Sequence, residues 1–380
     1  MRTHDAGQEA THEAAHDADL ARDAARHEAA AGQRPIRTAV AGYGLSGSVF
    51  HAPFIAASPA YSLDVIATSD AGRQSAAAAR HPGVRLVASP ADILALAGEL
   101  DLVVLGTPPS THFALAKAAL EAGLDVVVDK PFVAYSAQGQ ELIELAARLG
   151  RVLTVYQNRR WDGDALTVKK LLDAGTLGTV TRFESGMERW APEIAKAWKA
   201  GATAEDGGGV LFDLGAHVLD LAVQFFGPAQ VAYAEISARR PQEHADDDIF
   251  LALRHESGVV SHLTLNLNSQ LPGPRFRILG SEGGFVKFGA DPQEPYLLGG
   301  GLPTDPAYGV EPAGHQGILE RDGQRTPVPT ERGAYPEFYR ILAEKIADGG
   351  ASSALPLPVD PASSVEVLKL IEQARALVKL

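Results

Sequence analysis

From Ile36 to about Tyr156 the chain alternates short apolar runs with stretches whose apolar residues recur at helical spacing. The runs are Ile36–Ala41, Leu63–Ala67, Leu102–Leu105, Val126–Val128 and Val152–Val155. Between them, Thr111–Ala122 and Ser136–Leu149 are rich in Ala and Leu at helical intervals. Continuous apolar strands joined by crossover helices predict a parallel sheet covered on both faces. After Tyr156 the period changes. A helix from Gly163 to about Ala174 precedes Thr179–Trp190, which alternates like a half-exposed strand. Gly207-Gly208-Gly209 opens a second helix that stops at Gly227-Pro228. Val231–Arg239, Asp248–His255, Gly258–Asn268, Arg275–Gly280 and Gly283–Gly289 read as strands, with hairpin turns at Glu256-Ser257-Gly258 and Ser281-Glu282-Gly283-Gly284. Residues 290–334 are rich in Pro and Gly and too long for an idle connection, which predicts a lid or an interface loop. Helices near Tyr335–Ala347 and Ala362–Val378 close the chain.

The pattern describes an α/β chain: a parallel-sheet domain over 35–156 and an α+β domain over 157–380 with a large, mostly antiparallel open sheet. The last helices are placed to pack back on the first domain. Residues 1–34 stand apart. Thr11 to Ala31 is almost all Ala, His, Asp, Glu and Arg, and Leu20 is the only large aliphatic side chain after Met1. A helix without an apolar stripe has nothing to dock with, so this acidic segment is expected to be a disordered tail. It has no apolar core of the kind a secretory signal needs. Its histidines, His4, His12, His16 and His27, read as solvated side chains.

The length of 380 residues suits two domains. A formal charge of −13 without a basic cluster speaks against nucleic acid and anionic membrane as partners. No apolar run approaches the roughly 18–20 residues that span a bilayer. The absence of cysteine excludes disulfide frameworks, thiol nucleophiles and cysteine-held metals. What remains is a cytoplasmic enzyme or regulator.

Gly42-Tyr43-Gly44-Leu45-Ser46-Gly47 follows the first predicted strand and opens a helix. Gly42 permits the tight turn, Gly44 lets backbone approach a pyrophosphate, and Gly47 lets helix and strand pack closely. Leu45 and Ser46 lie at the helix N-terminus, which favours negative charge. In this context the motif predicts a dinucleotide-binding Rossmann domain. An acid at the end of the second strand would accept bonds from the adenosine ribose and favour NAD(H). The sequence there reads Thr68-Ser69-Asp70, with Asp70 placed to cap the next helix. Small hydroxyls at Thr68 and Ser69 with Arg73 in reach suit a 2′-phosphate, so NADP(H) is favoured and NAD(H) is the alternative.

The strand over 126–128 runs into Asp129-Lys130-Pro131. Ligands sit at such strand ends, so Lys130 can hold a substrate hydroxyl and stabilise a developing alkoxide; the alternative is a surface lysine before a turn. Asp213 and His217 are four apart on the helix after the glycines, one turn apart on one face. Histidine takes and returns a proton near neutral pH, and Asp213 can orient it or bind a hydroxyl; a surface pair is the alternative. The Asp246-Asp247-Asp248 run reads as solvated acids, and no metal site is indicated.

These motifs, with Gly106-Thr107-Pro108-Pro109-Ser110-Thr111-His112 and the closing Tyr335-Pro336-Glu337-Phe338-Tyr339, resemble the glucose–fructose oxidoreductase/inositol dehydrogenase (Gfo/Idh/MocA) family over essentially all of residues 35–380. The resemblance implies NAD(P)-dependent oxidation or reduction of sugars, inositols and related polyols. It also implies an open C-terminal sheet that joins homodimers or homotetramers. It makes Lys130 the catalytic lysine, Asp213 the substrate-binding acid and His217 the proton acceptor. Thr107 and Pro108 would line the nicotinamide pocket, with His112 near the cofactor. Asp129 stands where the family usually has Glu. Gly47–Pro53 and Tyr156–Asp162 resemble a subgroup with NADP-dependent scyllo-inositol dehydrogenases, which makes Asn158 and Arg159 candidate substrate contacts or a polar hinge. Alternatives are a non-catalytic dinucleotide-sensing regulator on the same fold and a reductase of another carbonyl or imine.

Overall fold

A computed structural model of the chain describes residues 34–193, 208–240 and 245–378. The tail expected over 1–34 lies, but for Arg34, outside the described residues. Six strands form the first sheet: β1 (Ile36–Ala41), β2 (Tyr61–Ala67), β3 (Arg85–Val87), β4 (Leu102–Leu105), β5 (Asp125–Asp129) and β6 (Leu153–Tyr156). Their order is β3-β2-β1-β4-β5-β6 and every pairing is parallel. Helices α1 (Ala52–Ala57), α2 (Ala71–Arg80), α3 (Pro90–Leu94), α4 (His112–Glu121) and α5 (Ser136–Leu149) connect the strands. All four residues of β4 and Val126-Val127-Val128 of β5 are buried, which is why these strands are apolar without alternation. No apolar run announces β3, whose three residues are half-buried or exposed. The strand order reverses between β1 and β4, and such sheets bind ligands in the crevice at that point.

Past β6 come α6 (Gly163–Asp173), α7 (Val210–Asp213), α8 (Gly215–Phe226), α9 (Gln293–Leu298), α10 (Pro336–Ala347) and α11 (Pro361–Leu377). Eight strands form the second sheet: β7 (Val180–Glu188), β8 (Ala229–Ser237), β9 (Asp248–His255), β10 (Val260–Asn266), β11 (Phe276–Gly280), β12 (Gly284–Lys287), β13 (Gly317–Arg321) and β14 (Gln324–Val328). They run in the order β14-β13-β12-β11-β7-β10-β9-β8. Only the β7–β10 pairing is parallel. Alternate residues such as Phe183, Leu251, Leu263 and Ile278 are buried on one face. Phe183 meets Phe226 of α8 and Phe276 at ring-centroid distances of 5.1 and 5.8 Å, which packs this face on the helix layer.

The stretch 290–334 does not hang as a lid. It carries α9 and the hairpin β13–β14, which extends the sheet beyond β12. Lys287 ties the intervening loop down by an ion pair with Glu311, both nearly buried. The turn of this hairpin is Asp322-Gly323, with φ of 49° and 75°. An Asp-Gly pair with both φ positive is the strongest short hairpin signal, and it was legible amid the prolines.

The last helices bind the halves together. α11 packs against α5, β6, β8 and α8. Glu372 accepts from the Ser136 N–H and hydroxyl, both at 2.7 Å. Among the described residues no helix is long and apolar enough to cross a membrane. Arg160, in the turn after β6, donates to Asp220 of α8 at 2.8 and 2.6 Å and to Ser363 of α11 at 2.8 Å. Asp220 is buried, so removing its partner strands a charge away from water. Arg160→Ala is expected to cost about 3–5 kcal/mol of stability, measured by urea unfolding. A loss below about 1 kcal/mol would mean the halves are held by other contacts.

Candidate active site

The three glycines after β1 are required for three different reasons. Gly42 has φ +95°, and a Cβ there would lie 2.7 Å from the Gly106 carbonyl oxygen. A Cβ at Gly47 would lie 1.9 Å from the Gly42 oxygen, so helix and strand meet with no room for a side chain. Above Gly44 the nearest atom to a Cβ is Arg73 Nη1 at 4.0 Å, which leaves a shallow cradle under a guanidinium. The chain then enters a widened π-helical turn over Ser46–His51 before α1, with Leu45 exposed at its start. At the end of β2, Thr68 is buried while Ser69 and Arg73 are exposed. Asp70 caps α2, accepting the Arg73 N–H at 2.8 Å.

Beyond β4, Thr107 bonds Thr111 between hydroxyls at 2.7 Å, and Pro108 is exposed. His112 does not reach the crevice. Its ring is fully buried, with Nε2 2.9 Å from the Thr107 oxygen and Nδ1 3.0 Å from that of Pro131. It braces the loop after β4 against the loop after β5.

β5 delivers Lys130 to the crevice edge. Its ammonium donates to the Asp213 carboxylate at 2.9 Å and to the Asp213 backbone oxygen at 2.8 Å. Asp213 and His217 were expected on one continuous helix; the structure breaks it at Leu214, ending α7 and starting α8. The His217 N–H bonds Leu214 at 3.1 Å. The Asp213 oxygen, which a continuous helix would give to residue 217, is thereby available to the lysine.

Asp246 holds the other end of α7. Its backbone oxygen accepts the Val210 N–H at 2.8 Å and its carboxylate the Leu211 N–H at 2.6 Å. Asp246 and Asp247 are therefore buried anchors, in correction of the solvated reading; Asp247 accepts the N–H groups of Arg239 and Arg240, both at 2.7 Å. Their partners lie far along the chain or on the backbone, where spacing carries no signal.

His217 is 4% exposed, and among the described residues its Nδ1 has no hydrogen-bond partner. Burial, then the charges of Lys130 and Arg159, push its pKa well below the usual imidazole range against the pull of Asp213. The imidazole is neutral at neutral pH and lies within the field of the lysine. Asn158 is buried in the turn after β6. Arg159 beside it donates to Asp162 at 3.2 Å and Glu294 at 2.9 Å, so this side chain has the character of the polar hinge.

Residues 36–157 match the family described as "Oxidoreductase family, NAD-binding Rossmann fold", and 165–286 match "GFO/IDH/MocA C-terminal domain". The chain is 36% identical to the oxidoreductase YdgJ of Escherichia coli over 342 residues, covering 89% of this chain and 94% of that protein. This chain belongs to the Gfo/Idh/MocA oxidoreductase family. It is also 33% identical to "scyllo-inositol 2-dehydrogenase (NADP(+)) IolW" of Bacillus subtilis, over 89% of this chain and 92% of that one. The solved structure of the oxidoreductase YvaA from Bacillus subtilis is similar with a TM-score of 0.83 at 31% identity, covering 90% of this chain and 96% of that one.

One part of this Gfo/Idh/MocA site escaped sequence reasoning. Asp162, Asp164 and Asp291 are buried together beside Arg159 and Arg275. Asp162 accepts the Tyr335 hydroxyl at 2.7 Å, and Asp291 accepts the Gly163 N–H at 2.7 Å. The only sequence signal is Asp162-Gly163-Asp164 at a helix start, which reads as ordinary capping. Burial, and then the Asp164 charge, push the Asp291 carboxyl up to about 6 from 3.8. The folded state thus binds this proton more tightly than the unfolded chain does. The resulting stabilisation is complete below about pH 4 and is lost as pH rises through about 6, about 3 kcal/mol in all. Buried His217 and His112, whose pKa values burial depresses, contribute the opposite slope, so the Asp291 share is read by urea unfolding as the difference between wild type and Asp291→Asn from pH 4 to 7. Asp291→Asn is expected to lower stability overall and to remove this share; a pH-independent difference would place the proton elsewhere.

Proposed function

We propose that this oxidoreductase transfers hydride reversibly between NADP(H) and a secondary alcohol or ketone of a cyclic polyol or sugar. One observation carries the reading. The Lys130 ammonium, from the end of a buried strand of the cofactor domain, meets Asp213 of the second domain beside an imidazole that burial keeps neutral. The cradle at Gly44, open except for Arg73 Nη1 at 4.0 Å, fits a dinucleotide pyrophosphate against backbone. When bound, the nicotinamide supplies the hydride acceptor or donor. Lys130 gives two N–H groups to Asp213 and keeps the third for the substrate oxygen, whose growing negative charge it stabilises. Asp213 fixes the lysine and offers its carboxylate to a neighbouring hydroxyl. Neutral His217 takes the hydroxyl proton, and its depressed pKa favours passing that proton on.

NADP(H) is favoured because no acid occupies position 68, Asp70 is engaged in capping, and Arg73 overhangs the glycine turn. The name of IolW supports the same cofactor and a polyol substrate. In this reading the outer face of the eight-stranded sheet, where Tyr233 is half exposed, joins copies into a homodimer or homotetramer.

A panel of polyols and sugars with NADP and NAD tests the proposal; a protein that binds NADP(H) and turns over none of them would be a regulator or a reductase of another carbonyl or imine instead. Lys130→Ala is expected to lower kcat about 10²–10³-fold with cofactor binding kept, and near-normal turnover would remove the lysine from the mechanism. Arg73→Ala is expected to raise KM for NADP(H) about tenfold or more while leaving that for NAD(H) nearly unchanged. Equal effects on both cofactors would move the arginine from the 2′-phosphate to the pyrophosphate.

A further inference from the structure

Directly behind Lys130 lies a buried polar chain that the proposed chemistry does not use. Asp129 accepts the Lys130 backbone N–H on Oδ1 at 2.7 Å. Its Oδ2 faces His51 Nε2 at 3.9 Å. The His51 ring is fully buried, and among the described residues that Nε2 has no hydrogen-bond partner. On the other side His51 Nδ1 lies 2.7 Å from the Tyr339 hydroxyl of α10. The tautomer in which this phenol donates to Nδ1 carries the imidazole proton on Nε2, toward the carboxylate. The Tyr156 ring packs on His51 with centroids 4.5 Å apart, which fixes the ring plane.

We propose that His51, gripped by Tyr339, is a positioning residue that acts on Lys130 through Asp129. The proposal rests on the reading of Lys130 given above. A carboxylate so close to the active ammonium has two uses for its charge: it can pull the side chain back from Asp213, or it can stay on the backbone N–H and support the lysine from behind. His51 selects the second through its Nε2, which faces Oδ2 at 3.9 Å. The groups facing Asp129 are His51 from the turn before α1, Lys130 from its own strand, and Ser46 from the glycine turn. His112, Tyr156 and Tyr339 lie within its field. Burial would push this carboxyl up, but His51, Lys130 and Ser46 outweigh it and hold the group below its ordinary range. The other imidazole in that set, His112, has its ring nitrogens beside the backbone oxygens of Pro131 and Thr107.

A double-mutant cycle on kcat, with the substrate that wild type turns over best, tests the coupling. His51→Leu is expected to lower kcat about tenfold, the size of an ordinary coupling between neighbouring polar groups, with both KM values held within about twofold. His51→Gln, which keeps a donor for Asp129 and an acceptor for Tyr339, should recover most of that loss. In an Asp129→Asn background, His51→Leu should cost nothing further, because its only route to the lysine is gone. Tyr339→Phe removes just the hydroxyl and is expected to lower kcat in wild type and not in Asp129→Asn, and it serves where the leucine variant does not fold. Additive losses, or equal loss in His51→Gln and His51→Leu, would make His51 a packing residue and overturn the proposal. Lys130→Ala, assayed in parallel, separates the two levels: full turnover there removes the lysine and this inference together, whereas its loss with an additive cycle removes only His51.

Discussion

Two of the three protons on Lys130 Nζ go to a single residue, Asp213, and one of those bonds exists because a helix stops there. A helix continuing from Val210 through Phe226 would turn the Asp213 carbonyl inward to its own ladder. The break at Leu214 turns it out toward the first domain, and Asp246 pins the far end of that one-turn helix through two N–H groups. The lysine therefore meets a carbonyl and a carboxylate held at one point by the backbone. Both ends of the contact are rigid: one is a strand end in a sheet buried on both faces, the other a helix end anchored by a buried acid. An ammonium placed this way needs little reorganisation when negative charge appears beside it.

Charge around the contact is layered. Burial first, and then the charges of Lys130, Arg159 and Arg275, keep the His217 imidazole unprotonated, while these cations pair with Asp213, Asp162 and Asp164. On the proposed function, this arrangement sets positive charge beside the reacting oxygen. Its cost is visible in the raised carboxyls of Asp162 and Asp291, which are buried with too few cations between them. Such local cost is ordinary for a site whose polar groups are arranged for a ligand.

The cofactor half was largely legible in the sequence because its determinants are local. β4 and β5 are apolar on every buried position and β1 on all but Thr38, and the glycine turn, Thr68 and Asp70 sit within a few residues of the strands that place them. The failures have a common cause in distance along the chain. β3 is too short and too exposed to carry a pattern, and its only support is a ladder to β2. Asp246 and Asp247 look like surface acids until Leu211, 35 residues away, and the arginine N–H groups are brought to them. The break at Leu214 follows from no local breaker, since Gly215 opens the next helix. His112 has the place of a crevice residue and the contacts of a brace, a difference set by which way one ring turns.

The second half of the site draws on the turn after β6, the start of α6, α7 and α8, the residue before β11 and the loop before α9. Glu294 and Asp291 reach it from a segment that has no motif, and they meet Arg159 and Gly163 across about 130 residues of chain. Each segment is anchored independently: α8 by Arg160 and Asp220, α7 by Asp246, and the 290–334 stretch by Lys287 and Glu311. The surroundings of Lys130 are accordingly written in contacts between distant segments, whereas the glycine turn and the end of β2 are written in neighbouring residues.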